Sequence, residues 1–326
     1  MSKRPTSRDV ARAAGVSQST VSIVLAGKAE GRVTPETRQA VHEAARRLGY
    51  RPNLAARNLR LGRTRTVLLV VPTLTGAVFG PIYAGAAEVA ASRGFGVVLH
   101  PWPDDAGPAR SQVDTQAIEG VLASSIVGGI SDFGDLPVVV MDSDPAAPAP
   151  TINFDVAGGM RAIAGHLAEL GHRRIGHVAA AVDAWTFRVR GEALADAFPG
   201  SLIRQTTAID VAAARQAALR LLDRPDRPSA VVCDDDLIAA GAYKAARALG
   251  LDIPGDLSVT GFDDVLLATA LEPELTTVRL PAERLGATAM TALLELLDGR
   301  RPSGVSLPGE LVVRASTGPP AQARPR

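Results

Sequence analysis

The stretch RDVARAAGVSQSTVSIVL, Arg8 to Leu25, decides the reading of the chain, because two short segments with helical apolar spacing meet there at a single glycine. Ser7 stands where a helix N-cap is expected. Val10, Ala11 and Ala14 follow at helical intervals, and Gly15 can take the left-handed conformation that ends a helix. Ser17 caps a second helix, with Val16 placed to staple against Val21. On that helix Val21, Val24 and Leu25 share one face, Ser19, Ser22, Ile23 and Ala26 lie away from it, and Gln18 leads. Thr34 and Pro35 open a third helix that runs to Gly49 with Ala40, Val41, Ala44, Ala45 and Leu48 as its stripe. Helices this short are marginal alone, but three can bury their stripes together. So tight a turn presents the start of the second helix, a shape that fits the major groove. There a Gln can make paired bonds to adenine and an aliphatic group can touch a thymine methyl.

Charge points the same way. Residues 1–65 carry fourteen Lys or Arg against four Asp or Glu, a balance of +10, which leaves −9 on the remainder of a chain whose net charge is +1. A basic head on an acidic body is the footprint of one part that meets phosphate and another that does not. A three-helix module that binds no nucleic acid is the alternative, and the clustered charge disfavours it. With 326 residues, 46% of them apolar, the chain can form two or three folding units. Cys233 stands alone, which excludes an internal disulfide and a cysteine-rich metal site and leaves a small buried hydrophobe. The opening MSKRPTSRDV has no apolar region, and no run approaches the ~18 residues of a membrane span, so the expected location is the cytoplasm with no membrane partner.

After the head comes YRPNLAARNLRLGRTRT. Pro52 enforces extended backbone before it, Asn53 can cap, Leu54 to Leu61 can make two turns, and Gly62 ends them. From Thr66 onward, apolar runs of strand length (VLLVVP, GVVLHP, GVLASS, VVVMD, IGHVAA, AVVCDDD, LSVTGFDD) alternate with helical stretches. That pattern indicates parallel strands buried on both faces. Ligands in such sheets bind beyond the carboxyl ends of strands, where Asp142, Asp235, Asp236 and Asp263 stand; Asp236, just before LIAAG, reads as a helix cap only. No GxxxxGK[ST], HExxH, GxSxG or GxGxxG occurs, so catalysis is not expected. His166, His172 and His177 read as packing or surface residues rather than metal ligands.

DVARAAGVSQSTVSIVL followed by RVTPETRQAVHEAARRLGYRPNLAARNLR resembles the DNA-binding head of the lactose/galactose repressor (LacI/GalR) family. The likeness continues through ELGHRRIGHV, DDDLIAAGAYKAARALGLDIPGDLSVTGFDD and PELTTVRLP, nearly the whole chain. It implies an all-α helix-turn-helix head (1–50), a hinge (51–65), and an α/β body (66–318) of two doubly wound parallel-sheet subdomains of periplasmic-binding-protein type. The chain would cross between these subdomains near residues 155, 281 and 308, and 319–326 would form a disordered tail. A periplasmic sugar-binding protein is the rival reading, since its fold is that of the body, but the head argues against it.

By the same resemblance the chain is a homodimeric repressor of a pseudo-palindromic operator in double-stranded DNA, controlled by a small-molecule effector such as a sugar and needing no cofactor. After Leu311 the run VVRASTGPPAQARPR lacks the heptads of a tetramerising helix. The candidate DNA-facing residues are Ser7, Ser17, Gln18, Ser19, Thr20, Ser22, Ile23, Arg32, Asn53, Ala56 and Leu59, with Leu59 as a minor-groove wedge. Ile23 stands where the family often has Arg, which removes a guanine contact. Effector contacts map to Asp263, to Arg188 three residues before Gly191, to Asp142 and to Asp235. Phe79 is the only aromatic in TLTGAVFGP, where sugar-responsive members carry more. Carboxylates that accept from hydroxyls and a guanidinium that donates in a fork suit a polyhydroxylated ligand.

Overall fold

The computed structural model describes residues 5–27, 29–50, 64–102, 117–125 and 130–321, and the chain divides into two compact units, Met1–Thr64 and Arg65–Arg326. The first unit holds α1 (Ser7–Ala14), α2 (Gln18–Leu25) and α3 (Pro35–Leu48). Its first cap differs from the sequence reading: Thr6, not Ser7, is the N-cap of α1. The reason is the residue three places on, since a carboxylate there can return a hydrogen bond to the cap. From Thr6 that residue is Asp9, which accepts from the Thr6 N–H at 2.9 Å and the Thr6 hydroxyl at 2.7 Å, whereas from Ser7 it would be Val10. Gly15 ends α1 at φ 67°, and the Val16 N–H closes the turn on the Ala11 carbonyl at 3.0 Å. Ser17 caps α2 by accepting from Thr20 N–H at 3.1 Å, and Thr34 caps α3, which Pro35 opens. Val10, Val21, Val24, Val41 and Ala44 form the core of this unit.

In the second unit the chain runs β1 (Thr66–Val71), α4 (Phe79–Ser92), β2 (Gly96–Pro101), β3 (Gly120–Ser124), β4 (Val138–Met141) and β5 (Thr151–Asp155). It continues through α5 (Val156–Glu169), β6 (Ile175–Ala180), α6 (Trp185–Ala197), β7 (Leu202–Thr207), α7 (Val211–Leu222), β8 (Ala230–Cys233), α8 (Asp236–Ala248) and β9 (Ser258–Thr260). It ends with α9 (Leu266–Ala270), β10 (Thr277–Arg279), α10 (Ala282–Leu297), β11 (Val305–Pro308) and β12 (Glu310–Val312). Two parallel sheets result, one ordered β11-β5-β4-β3-β1-β2 and the other β7-β6-β8-β9, each the floor of one lobe. The chain leaves the first sheet after Asp155, comes back through α10 to β11, and departs again after Pro308 to pair β12 antiparallel with β10.

Strand periodicity explains the unbroken apolar runs. In β1, Val67, Leu69 and Val71 face one core while Leu68 and Val70 face another, with Trp102 and Phe133. In β8, Ala230 and Val232 face the core common to both lobes, and Val231 and Cys233 the opposite one. Both faces of these two strands are thus dry, as helix-covered parallel sheets require. Among the described residues no helix is long and apolar enough to cross a membrane.

Candidate functional site

In the helical unit the residues expected to face DNA form a continuous polar edge held by short hydrogen bonds. Gln18 Nε2 donates to Ser7 Oγ at 2.8 Å, joining the start of α2 to the start of α1. Ser17 Oγ lies 2.7 Å from Ser19 Oγ and 2.8 Å from Thr20 Oγ1, and Ser22 Oγ donates to the Gln18 carbonyl at 3.0 Å. Gln18, Ser19 and Ser22 are exposed, as is Arg32 in the turn before α3. Ile23 departs from the sequence reading: instead of pointing wholly outward it is half-buried against the core of this unit, because the two-turn helix leaves part of that core uncovered beside Val24. Asn53, Ala56 and Leu59 lie outside the described residues.

In the body the strand ends converge on one arginine, and it is Arg190. Arg190 is 3% exposed, with its guanidinium 3.9 Å above the Phe262 ring and 5.2 Å from that of Phe187. It donates to the Asp234 carbonyl and, at 3.4 Å, to Asp263 Oδ1, while its Nε has no partner among the described residues. Asp142 enters from the other lobe, at the end of β4. It is 8% exposed, its Oδ2 accepts from Ser125 Oγ at 3.1 Å, and its Oδ1 has no partner among the described residues. Burial pushes the Asp142 carboxyl above its ordinary range, against the pull of Arg190 and the Ser125 and Thr186 hydroxyls. Asp263 is pushed up to about 7, first by burial and then, with Arg190 opposing, by Asp235 and Asp142. Asp235 is raised as well, again chiefly by burial.

Backbone strain marks the same place. Ser125, Asp142, Asp263 and Asp264 take φ values of 51°, 48°, 105° and 55°, four of the five positive-φ residues other than glycine among the described residues. Such conformations persist where the surroundings hold them, and they gather at functional sites. Here the hold is visible: the Asp263 N–H bonds to the Val278 carbonyl of β10 at 2.9 Å, and Asp264 is clamped by Arg279 at 2.8 Å and Arg314 at 2.6 Å.

Three residues depart from the sequence reading of this site. Arg188 does not join the aspartates; it is half-exposed and lies 3.6 Å from Asp144 of the opposite lobe. Residues two apart on a helix point in nearly opposite directions, so only one of Arg188 and Arg190 can face inward. Arg190 has the inward place, on the face of Thr186, Ala193 and Leu194. Phe79 packs into the core at the start of α4, 8% exposed, rather than beside the acids. Asp235, not Asp236, caps α8, accepting from Leu237 N–H at 2.5 Å. Asp236 is fully buried and ties α8 to the crossing strand, accepting from Thr277 Oγ1 at 2.6 Å and Val265 N–H at 2.8 Å. Its carboxyl is pushed up to about 8, mainly by burial. His177 Nε2 lies 2.8 Å from Asp234 Oδ1 in full burial, His172 lies between Ser229, Ser258 and the Gly318 carbonyl, and His166 Nε2 lies 2.9 Å from Thr317 Oγ1.

A helix-turn-helix unit joined to a two-lobed body with polar groups gathered between its sheets defines a ligand-responsive DNA-binding regulator. Residues 6–53 match the model for bacterial regulatory proteins of the lacI family, and residues 164–317 match a periplasmic binding protein-like domain. The repressor CytR of Escherichia coli K12 is 31% identical over 96% of each chain, and the regulator DegA of Bacillus subtilis is 32% identical over 95% of this chain and 97% of its own. Among solved structures, the lac repressor dimer bound to operator and an anti-inducer superposes with a TM-score of 0.85 at 26% identity over 97% of this chain and all of that one. The regulator CelR with cellobiose gives 0.70 at 29% identity over 96% and 100%. The chain belongs to the LacI family. It is a DNA-binding transcriptional repressor with an effector-binding domain, and its matched relatives are regulators rather than enzymes.

Proposed function

We propose that the protein is a non-catalytic, cytoplasmic homodimer. In this reading it represses from a two-fold symmetric operator through residues 1–50, passes the signal along a hinge at 51–65 with Leu59 as the wedge, and senses a small molecule between the lobes of 66–318. The observation that carries the sensing role is that the two lobes approach each other at these strand ends: Arg190 pairs with Asp263 at 3.4 Å, and Arg188 of the same helix lies 3.6 Å from Asp144 of the opposite lobe. A ligand there touches both lobes at once, so it can prefer one closure of the body. It then shifts operator affinity by its differential binding to the two closures. The operator-bound lac repressor dimer and the CelR–cellobiose complex support the same assignment.

The test begins with selection of DNA sites by the full chain, followed by operator titration with and without ligands that raise the melting temperature. Symmetric half-sites and a ligand-dependent shift in operator affinity are the expected outcome. In Asp263→Asn the ratio of affinities with and without ligand falls toward one. An undiminished ratio would remove Asp263 from the site.

Ile23→Arg is expected to change base preference at one position of each half-site by about 1–3 kcal/mol, the range of one good bidentate contact. The longer stem can lie over the patch that Ile23 half covers while its head reaches the groove. Salt-dependent binding to random DNA should stay close to that of the parent. A selection profile identical to the parent's would show that position 23 reads no base.

A further inference from the structure

We propose that Ser7 sets the base preference of the head by holding the Gln18 amide, and that the amide so held reads an adenine in each half-site. The proposal rests on α2 being the helix that reads the operator. It starts from the cap of α1: because Thr6 and Asp9 form the capping box, Ser7 stands inside the helix with no capping duty. Its hydroxyl is open to another partner. That partner is Gln18, eleven residues on, whose Nε2 donates to Ser7 Oγ at 2.8 Å and so spans the turn between the two helices. Ser7 is half-buried and Gln18 exposed, so the bond ties a solvent-facing side chain to one partly packed in the head. A glutamine that is already held loses less rotamer freedom when it meets a base.

The hydroxyls around it are engaged within α2 and its cap. Ser19 Oγ lies 2.7 Å from Ser17 Oγ, Ser17 Oγ accepts from the Thr20 N–H at 3.1 Å, and Ser22 Oγ donates to the Gln18 carbonyl at 3.0 Å. A hydroxyl also turns to give or accept, so it distinguishes bases poorly. The Gln18 amide is planar and anchored at Nε2, which leaves Oε1 and the second N–H as an acceptor beside a donor. Adenine shows the complement in the major groove, an N6 donor beside the N7 acceptor. Guanine shows two acceptors, O6 and N7, and one of the two contacts is lost there. The first residue of a recognition helix is well placed to make such a contact, since the N-terminal part of that helix enters the groove.

The experiment is selection of binding sites from random duplex DNA by the full chain and by Gln18→Ala, Ser7→Ala, Ser7→Thr and Thr6→Ala. The parent should select adenine at one position of each half-site, and in Gln18→Ala that preference should fall by about fivefold or more, the effect of one bidentate contact. In Ser7→Ala the same position should lose about two- to tenfold, the effect of one hydrogen bond, with the other positions and binding to random DNA unchanged. Ser7→Thr keeps the hydroxyl and should restore the preference. The Thr6–Asp9 box is intact in the Ser7 and Gln18 variants, so their melting temperatures should stay within about 2 °C of the parent's. Thr6→Ala removes the cap and should weaken binding to all sites alike, without changing the profile.

A profile that moves at one position in Gln18→Ala and at none in Ser7→Ala would overturn the role of Ser7 and keep α2 as the reading helix. The same shifted profile in Ser7→Ala and Ser7→Thr would show that the hydroxyl is not what acts, and overturns that role too. Guanine selected at the position that Gln18→Ala alters would overturn the adenine preference. Profiles unchanged in both Gln18→Ala and Ile23→Arg would show that α2 reads no base, and both readings would fall.

Discussion

Arg190→Ala is expected to destabilise the body by about 3–5 kcal/mol and to abolish any ligand response, while Arg188→Ala should stay within about 0.5 kcal/mol of the parent. The two arginines differ by two positions and share a helix, so the contrast isolates environment from residue type. Arg190 is buried, stacked on Phe262 and set among carboxylates, and its loss leaves Asp263 and Asp142 without a counter-charge in a dry site. Arg188 loses only a half-exposed pair with Asp144, of the kind that contributes little. The pH dependence has a definite sign. Without Arg190 the neighbouring acids hold their protons to higher pH, and a carboxyl raised in the folded state contributes stability that fades as pH rises through its folded pKa. The deficit relative to the parent should therefore be larger at pH 8 than at pH 5. Chemical denaturation of both variants at these two pH values measures it, and equal losses for Arg188→Ala and Arg190→Ala would refute the assignment of Arg190 to the centre of the cleft.

The same pair shows where sequence reading succeeds and where it stops. β1, β4, β6 and β8 are legible because both faces are dry, which leaves runs such as VLLVV and AVVC with no polar interruption. β7 escapes because it is an edge strand: Leu202–Thr207 alternates partly buried and exposed residues, with Arg204 and Gln205 in its middle. β12 escapes because three residues carry no period at all. In the site, the aspartates at strand ends are visible from the rule that such ends meet ligands. Choosing between Arg188 and Arg190 requires the phase of α6, and that phase was present in the spacing of Thr186, Arg190, Ala193 and Leu194, all buried on one face. Counting back from Gly191 by family likeness selects Arg188 instead. Asp235 takes the cap expected of Asp236 for a similar reason, since adjacent positions differ by about 100° on a helix and one residue of slip decides which acid caps and which is buried.

Gly85→Ala and Gly286→Ala should each destabilise the protein by about 3 kcal/mol or more, although alanine ordinarily favours a helix over glycine. The helices α4 and α10 cross with their backbones in contact: a β-carbon on Gly85 would stand 1.9 Å from the Glu283 carbonyl oxygen, and one on Gly286 would stand 1.9 Å from that of Ile82. Both obstacles are main-chain atoms, so no side-chain rotation relieves them. The helices must separate, and Ile82, Leu285 and Ala289 lose part of their packing in the core. Gly165→Ala is the matched control, because this glycine is also within a helix, exposed, and a β-carbon on it meets nothing within 4 Å. It should stabilise by up to about 1 kcal/mol, the propensity gain by itself. Melting temperatures are expected to fall by about 6–12 °C for the crossing variants and to rise slightly for the control. The double variant should lose less than the sum, since one separation of the helices accommodates both new methyl groups. α10 is the element through which the chain returns from β10 to the first lobe, so loosening the crossing also loosens the seat of β10, to which the Asp263 N–H is bonded. Ligand response should therefore weaken in Gly286→Ala at temperatures where the variant is still folded. A Gly286→Ala protein with the parent's melting temperature would show that the backbones do not meet at this crossing.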